Sequence, residues 1–313
     1  NIAKTVYENI TQDFSGLKLA AVFTDNMVLQ RNQPITIYGT ANGGDVVEVS
    51  FKSQKKSATT NQYGKWEVVF PAQTHGGHYE VTIKSNQKNI VLKNILIGDV
   101  WFCSGQSNMA FQLQQSENGN EEIKKALPNA SIRLFNFKDL RETDNTVWDS
   151  ITLAKTNQLE FFSGSWSVCD SISAKDFSAI AYYFGKNIAH AENIPVGLIQ
   201  VAVGGSPIES WIDRYTLEHD DKVVDVLTNW RRSDFIMPWV RERANMNLKN
   251  ATNATQRHPY DPSYNFEAGV TAFTKFPIKG VIWYQGESNA HNVELYEHLM
   301  PTLVESWRQA WGT

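Results

Sequence analysis

Cysteine is nearly absent, with only Cys103 and Cys169 among 313 residues. That is too few for a disulfide framework, and it leaves the redox compartment undetermined. No apolar run reaches the roughly 18 residues that a membrane helix needs. A basic excess is missing too: 29 Lys and Arg stand against 33 Asp and Glu, for a net charge of −4. That balance excludes the electrostatic footprint of a nucleic-acid binder and the cationic face of a protein held on anionic lipid. Neither HExxH, paired CxxC nor calcium-loop spacing occurs, and no glycine-rich phosphate loop follows a strand pattern. No metal and no cofactor is therefore expected. The chain opens at Asn1 without a leader pattern, so a processed or trimmed form is expected.

What is present is organised in two grammars. Residues 1–16 are polar and aperiodic and read as an N-terminal arm. Between 17 and 93, PITIYGTA, DVVEVSFK, KWEVVFPA and HYEVTIKS are short, alternating and rich in β-branched residues. Turn signals such as Asn42-Gly43-Gly44 separate them, which predicts a small antiparallel β-sandwich. From 94 to 313 strands alternate with helices. Ile95–Cys103 is a near-continuous apolar run, as in a strand covered on both faces. SIRLFNF (131–137), IPVGLIQVAV (194–203) and IKGVIWY (278–284) are further strands. Phe177–Ile188 and Val293–Trp311 carry helical stripes, the latter with Leu295, Leu299, Leu303 and Trp307 spaced by four. The alternation predicts an α/β fold with a parallel sheet. Residues 214–277 show no clear strand and read as a long insert or lid, because connections of that length are usually functional or disordered.

Ligands of open α/β sheets sit at the carboxyl ends of the strands. Here those ends are Gly105-Gln106-Ser107-Asn108, Gly204-Gly205-Ser206-Pro207-Ile208-Glu209, and Gln285-Gly286-Glu287-Ser288-Asn289. A Ser on a strand-to-helix corner, backbone N–H groups after a Gly-Gly turn and a nearby carboxamide from Gln285 or Asn289 are the parts of an acyl-transfer site. The same pattern also fits a helix N-cap at Ser107 with ordinary turn glycines.

GDVWFCSGQSNM (98–109), VAVGGSPIESWI (201–212) and GVIWYQGESNA (280–290) resemble three blocks of the sialate O-acetylesterase family within the SGNH hydrolases. FTDNMVLQRNQPITIYGTA (23–41) resembles the β-domain entrance of that family's longer members. The resemblance implies a flavodoxin-like SGNH-hydrolase sheet and hydrolysis of O-acetyl esters on sugars. It implies Ser107 as nucleophile, with the Ser107 and Gly205 N–H groups and a carboxamide from Gln285, or its rival Asn289, as oxyanion donors. Gln106, Asn108, Glu209 and Glu287 are expected to support the corner.

The family's late Asp-x-x-His block has no counterpart. His75 and His78 lie in the β-domain, His190 ends a helix, His219 and His258 sit in the insert, and His298 is on the last helix. His291 is the nearest substitute, just past the third block. Four core strands are readable where the resemblance implies five. The catalytic His is therefore expected beyond Thr313, on a C-terminal polypeptide that completes the sheet. The expected substrate is an acetylated sugar or glycan, foremost 9-O-acetylated sialic acid. The alternatives are an acetylxylan-type esterase and a non-catalytic sugar-binding protein or inactive fragment. Such glycans imply an extracytoplasmic location, whether periplasmic, secreted or lysosomal.

Overall fold

A computed structural model describes residues 16–86, 88–125 and 129–313. The expected N-terminal arm, apart from Gly16, lies outside the described residues. Strands of three or more residues are numbered here, and shorter ones are named by residue.

Apart from the parallel pairing of Val28–Gln30 with residues 96–98, the small domain is two antiparallel layers that share one apolar filling. Strand β1 (Val28–Gln30) leads into β2 (Ile35–Thr40), which pairs with β5 (Lys65–Phe70) and with Lys18–Leu19. The facing layer is β4 (Gln54–Thr59), β3 (Val46–Phe51), β6 (Gly76–Ser85) and the first half of β7 (Lys88–Gly105). In β5 the period of two is complete, with Trp66, Val68 and Phe70 buried and the residues between them exposed.

Strand β7 differs from expectation. A domain boundary near 93/94 falls inside one continuous strand of 18 residues. Its first half pairs antiparallel with β6, and its second half enters the larger sheet in parallel register. The junction is pinned by Arg31, whose guanidinium donates to both Asp99 carboxylate oxygens at 2.9 and 3.0 Å.

The larger sheet runs β9 (Trp166–Cys169), β8 (Asn129–Asn136), β10 (Val196–Ala202), β7, β11 (Gly280–Tyr284). The last four are mutually parallel, while β9 is antiparallel and makes the sheet mixed. β9 escaped the sequence reading because WSVC is four residues long without alternation. Phe102 points to a layer of Phe135, Phe273, Trp307 and Trp311, while Cys103 packs in the opposite cluster with Leu134, Phe177, Tyr182 and Leu198. Two covered faces explain the unbroken apolar run of β7.

Helix α1 (Ser107–Ala110) follows β7 directly, and α2 (Ala179–Glu192) is capped by the Ser178 hydroxyl. The insert is helical in part, containing α3 (Pro238–Asn247) and no strand among its described residues. Helix α4 (Val293–Trp311) buries Leu295, Leu299, Leu303 and Trp307, as their spacing predicts. Beyond β11 no strand is paired among the described residues, and Val281 and Tyr284 are exposed there.

Candidate active site

Register places the site. Gly105 of β7 lies level with Ala202 of β10 on one side and Tyr284 of β11 on the other. Three loops therefore leave the sheet at the same height. The chain turns at Gly105, with φ +148°, where a Cβ would sit 2.0 Å from the Tyr284 carbonyl oxygen. Only glycine fits, and the Gln106 N–H then donates to that same carbonyl at 3.0 Å. Ser107 emerges exposed at the first position of α1. The N-cap position is Gln106, and it makes no side-chain capping bond, so the hydroxyl of Ser107 is not spent on capping.

The loops are laced together. The Gln106 side-chain oxygen, almost fully buried, accepts from the Gly286 and Ser288 N–H groups at 3.4 and 3.3 Å. Ser288 donates its hydroxyl to the Gly205 carbonyl at 2.9 Å. Asn108 donates its amide to the Glu287 carboxylate. Ser107, Gly204, Gly205 and Glu287 line one cavity of about 660 Å³, together with Asp139, Glu142, Trp239 and Arg243. The backbone N–H groups of Ser107 and Gly205 have no acceptor among the described residues.

Gln285 and Asn289 do not line this cavity. Gln285 spends its two amide hydrogens on the Ser206 carbonyl at 3.2 Å and on the Asn289 side-chain oxygen at 2.8 Å. The Asn289 oxygen also accepts from the Ile208 N–H at 3.0 Å, and its amide donates to Glu209 at 2.9 Å. The expectation that Gln285 donates to an oxyanion is thus corrected: its donors are consumed inside the fold, because β11 ends with its next side chain directed beneath the loops. Two N–H groups, from the cavity-lining residues Ser107 and Gly205, are left without an acceptor among the described residues.

Glu209 is fully buried under the second loop, with one carboxylate oxygen bound by Asn289 and the other unpartnered. Burial pushes its pKa up to about 7, against the pull of the Asn289 hydrogen bond. The unfolded chain ionises Glu at about 4.5. Its favourable contribution is therefore full below pH 4.5 and is lost as pH rises through 7. Glu209→Gln should remove that dependence. Denaturation curves from pH 4.5 to 8 should show the wild type losing on the order of 3 kcal/mol relative to the variant. Parallel pH profiles for the two proteins would contradict this account.

Histidine is missing from the cavity wall among the described residues. His258 is fully buried, and burial lowers its pKa to about 3. His291 is bound to the Asp234 carbonyl at 3.1 Å, and His298 to Asp220 at 2.6 Å.

The cavity wall also holds Thr143, Asp139 and Trp239, which the sequence reading did not single out, and Arg243 of the insert. The last two carried a signal, since Trp239 and Arg243 are four apart on α3, and the guanidinium lies 4.8 Å from the ring centroid. Asp139 carried none. Burial, reinforced by Glu142, raises its pKa to about 6.

Known carbohydrate esterases are similar to this chain. Residues 97–232 match the family model of carbohydrate esterases described as sialic acid-specific acetylesterase. The chain is 28% identical to the sialate O-acetylesterase of Rattus norvegicus and 26% to that of Homo sapiens, in each case over 94% of this chain. It spans 56% and 53% of those two proteins, about half their length. A solved carbohydrate acetylesterase of Xanthomonas citri superposes with a TM-score of 0.72 at 25% identity, over 94% of this chain and 57% of that one. With the corner serine, the Gly-Gly turn and the QGESN loop meeting at one cavity inside the matched region, the chain resembles the sialate O-acetylesterases and the carbohydrate esterase family whose model matches residues 97–232.

Proposed function

We propose that this chain carries the nucleophilic half of a serine esterase that releases acetate from O-acetylated carbohydrate. The observation behind it is one cavity holding an uncapped, exposed Ser107 beside the unspent N–H groups of Ser107 and Gly205. Ser107 Oγ attacks the acetyl carbonyl and gives its proton to a base. The two N–H groups hold the resulting oxyanion, and each such donor is worth on the order of 3 kcal/mol. The sugar oxygen leaves with the proton, and water then hydrolyses the acetyl-serine to acetate.

For the finer substrate the first reading is 9-O-acetylated sialic acid, supported by the names of the curated relatives and by Arg243, a cation on the cavity wall suited to a carboxylate. A second reading, an acetylated neutral polysaccharide such as acetylxylan, is favoured by the carboxylic residues Asp139, Glu142, Asp144, Asp176 and Glu287 on the same wall. Arg243→Leu separates them. On 9-O-acetylated sialic acid it should raise KM by about tenfold while leaving an uncharged acetyl ester unaffected. An unchanged KM for the sialate, with faster turnover of acetylxylan, would establish the second reading.

The general base is proposed to come from a continuing C-terminal polypeptide that supplies the fifth strand of the flavodoxin-like sheet. Among the described residues no strand pairs with the outer edge of β11, and a groove of about 860 Å³ runs beside it, lined by Ile278, Val281, Trp283, Met300, Trp307 and Trp311. A strand laid there would cover the edge and the exposed Val281 and Tyr284. Processing of acetylated glycans fits an extracytoplasmic setting.

A further inference from the structure

Residues Val203 to Ser206 form a β-turn closed by the Ser206 N–H on the Val203 carbonyl at 3.2 Å. Gly205, at the third position, has φ +73°, while Gly204 lies outside the positive region, which makes the turn type II. Types I and II differ by a half-turn of the central peptide, here Gly204–Gly205. Between two glycines neither form is sterically barred. In the flipped form the Gly204 carbonyl oxygen would replace the Gly205 N–H at the cavity, and a lone pair would face the developing oxyanion.

The structure shows what opposes the flip. The Gly204 carbonyl accepts from the Thr143 hydroxyl at 2.6 Å and from the Tyr260 hydroxyl at 2.8 Å, which occupies both of its lone pairs. The peptide is planar and trans, so its N–H points away from both hydroxyls. Neither donor belongs to the strand-end loops. Thr143 precedes the helix at Ser150–Asn157, and Tyr260 comes from the long insert.

One buried residue ties the two together. The Asn247 amide donates to the carbonyls of Asp144 and Thr146, both at 2.7 Å, which holds the loop bearing Thr143. The Asn247 oxygen lies 3.1 Å from His258 Nε2, and His258 Nδ1 accepts the Tyr260 backbone N–H at 3.0 Å. These partners assign the tautomer, with Nε2 protonated and Nδ1 the acceptor. Because burial keeps the ring neutral, that acceptor persists at physiological pH.

We propose that Thr143 and Tyr260 are positioning residues that lock the Gly204–Gly205 peptide with its N–H toward the Ser107 corner, and that Asn247 and His258 hold both hydroxyls in place. The long insert is then a support for the oxyanion site as well as a wall of the cavity. The proposal rests on the esterase reading in one respect, that the Gly205 N–H stabilises an oxyanion.

The test uses Thr143→Val, Tyr260→Phe and their double variant in the full-length gene product, with Thr143→Ser as the conservative control. Each single variant should lower kcat by about tenfold and the double variant by about 10²-fold, with KM within about twofold of wild type and Thr143→Ser close to wild type. Crystal structures of the variants should show the Gly204–Gly205 peptide turned or split between two orientations. Equal losses in Thr143→Ser and Thr143→Val, or losses carried by KM, would overturn the proposal in favour of plain structural support. So would a type II turn retained in every variant. Ser107→Ala, assayed in parallel, keeps the two readings apart. If it turns over like wild type, the esterase reading fails, and the orientation of the peptide still decides the clamp.

Discussion

Replacing Ser107 by Ala in the full-length gene product should reduce acetyl release by about 10⁴-fold or more while leaving the folded structure intact. The expectation rests on how little else holds this side chain. Ser107 is exposed and makes no capping bond, so removing its hydroxyl deletes a nucleophile without deleting a packing contact. Stability should therefore move by no more than about 0.5 kcal/mol, the range of surface substitutions away from special features. Some acceleration over water should survive, because the Ser107 and Gly205 N–H groups remain and a backbone donor is indifferent to the side chain at 107. The measurement is acetate release from an acetyl ester, paired with thermal unfolding of the same preparations. Turnover near that of wild type would remove Ser107 as nucleophile, and with it the esterase reading. A collapse of stability would instead make the corner structural.

The 313 residues alone should be a poor esterase, slower than the full-length gene product by about 10⁴-fold or more, the usual cost of losing the base of a triad. Among the described residues no histidine lines the cavity, and the His258 ring is spent on Asn247 and Tyr260 and held neutral. Carboxylates do line it, but Glu287 is already bound by Asn108, and the raised pKa of Asp139 follows from burial beside Glu142 rather than from any pairing with Ser107. The prediction follows from the proposal that a continuing polypeptide delivers the base, at the edge of β11 where no strand pairs among the described residues. Adding the continuing polypeptide in trans should restore turnover and suppress aggregation through that edge. The assay compares kcat for the 313-residue chain, the full-length product and the mixture. Equal kcat for the first two would mean that the base is already present, and His291 would be the first residue to replace.

Much of the fold was legible because its signals are local. The stripe Leu295, Leu299, Leu303 and Trp307 identified α4 to the residue, since a 19-residue amphipathic helix repeats its pattern several times. The strand in Ile95–Cys103 was legible from its continuous apolar character, which records two covered faces. Its extension back to Lys88 was not, because that half alternates in the manner of the sandwich and looks like a separate strand. Strand β9 was too short to show a period. In the site, the three loops could be named because small and polar residues follow each strand immediately. Which side chains face inward could not. Gln285 and Asn289 differ from Gln106 in nothing a sequence pattern records, yet Gln285 donates to Asn289 and Asn289 to Glu209 beneath the loops.

By itself the sequence determined the order of the four parallel core strands and of helices α2 and α4, the corner at Ser107, and the glycines at the turns at 105 and 205. All of these follow from backbone sterics and side-chain period over a few neighbouring residues. Only the tertiary structure decided that Gly105, Ala202 and Tyr284 lie level, because register is a property of paired strands. It alone decided that Thr143 and Tyr260, 117 positions apart in the numbering, bind one carbonyl oxygen, and that Asn247 holds them both. The physical reason is that a hydrogen bond is set by distance and direction in space, to within a few tenths of an ångström. Residues this far apart in the chain reach that geometry only after the sheet and the insert have packed.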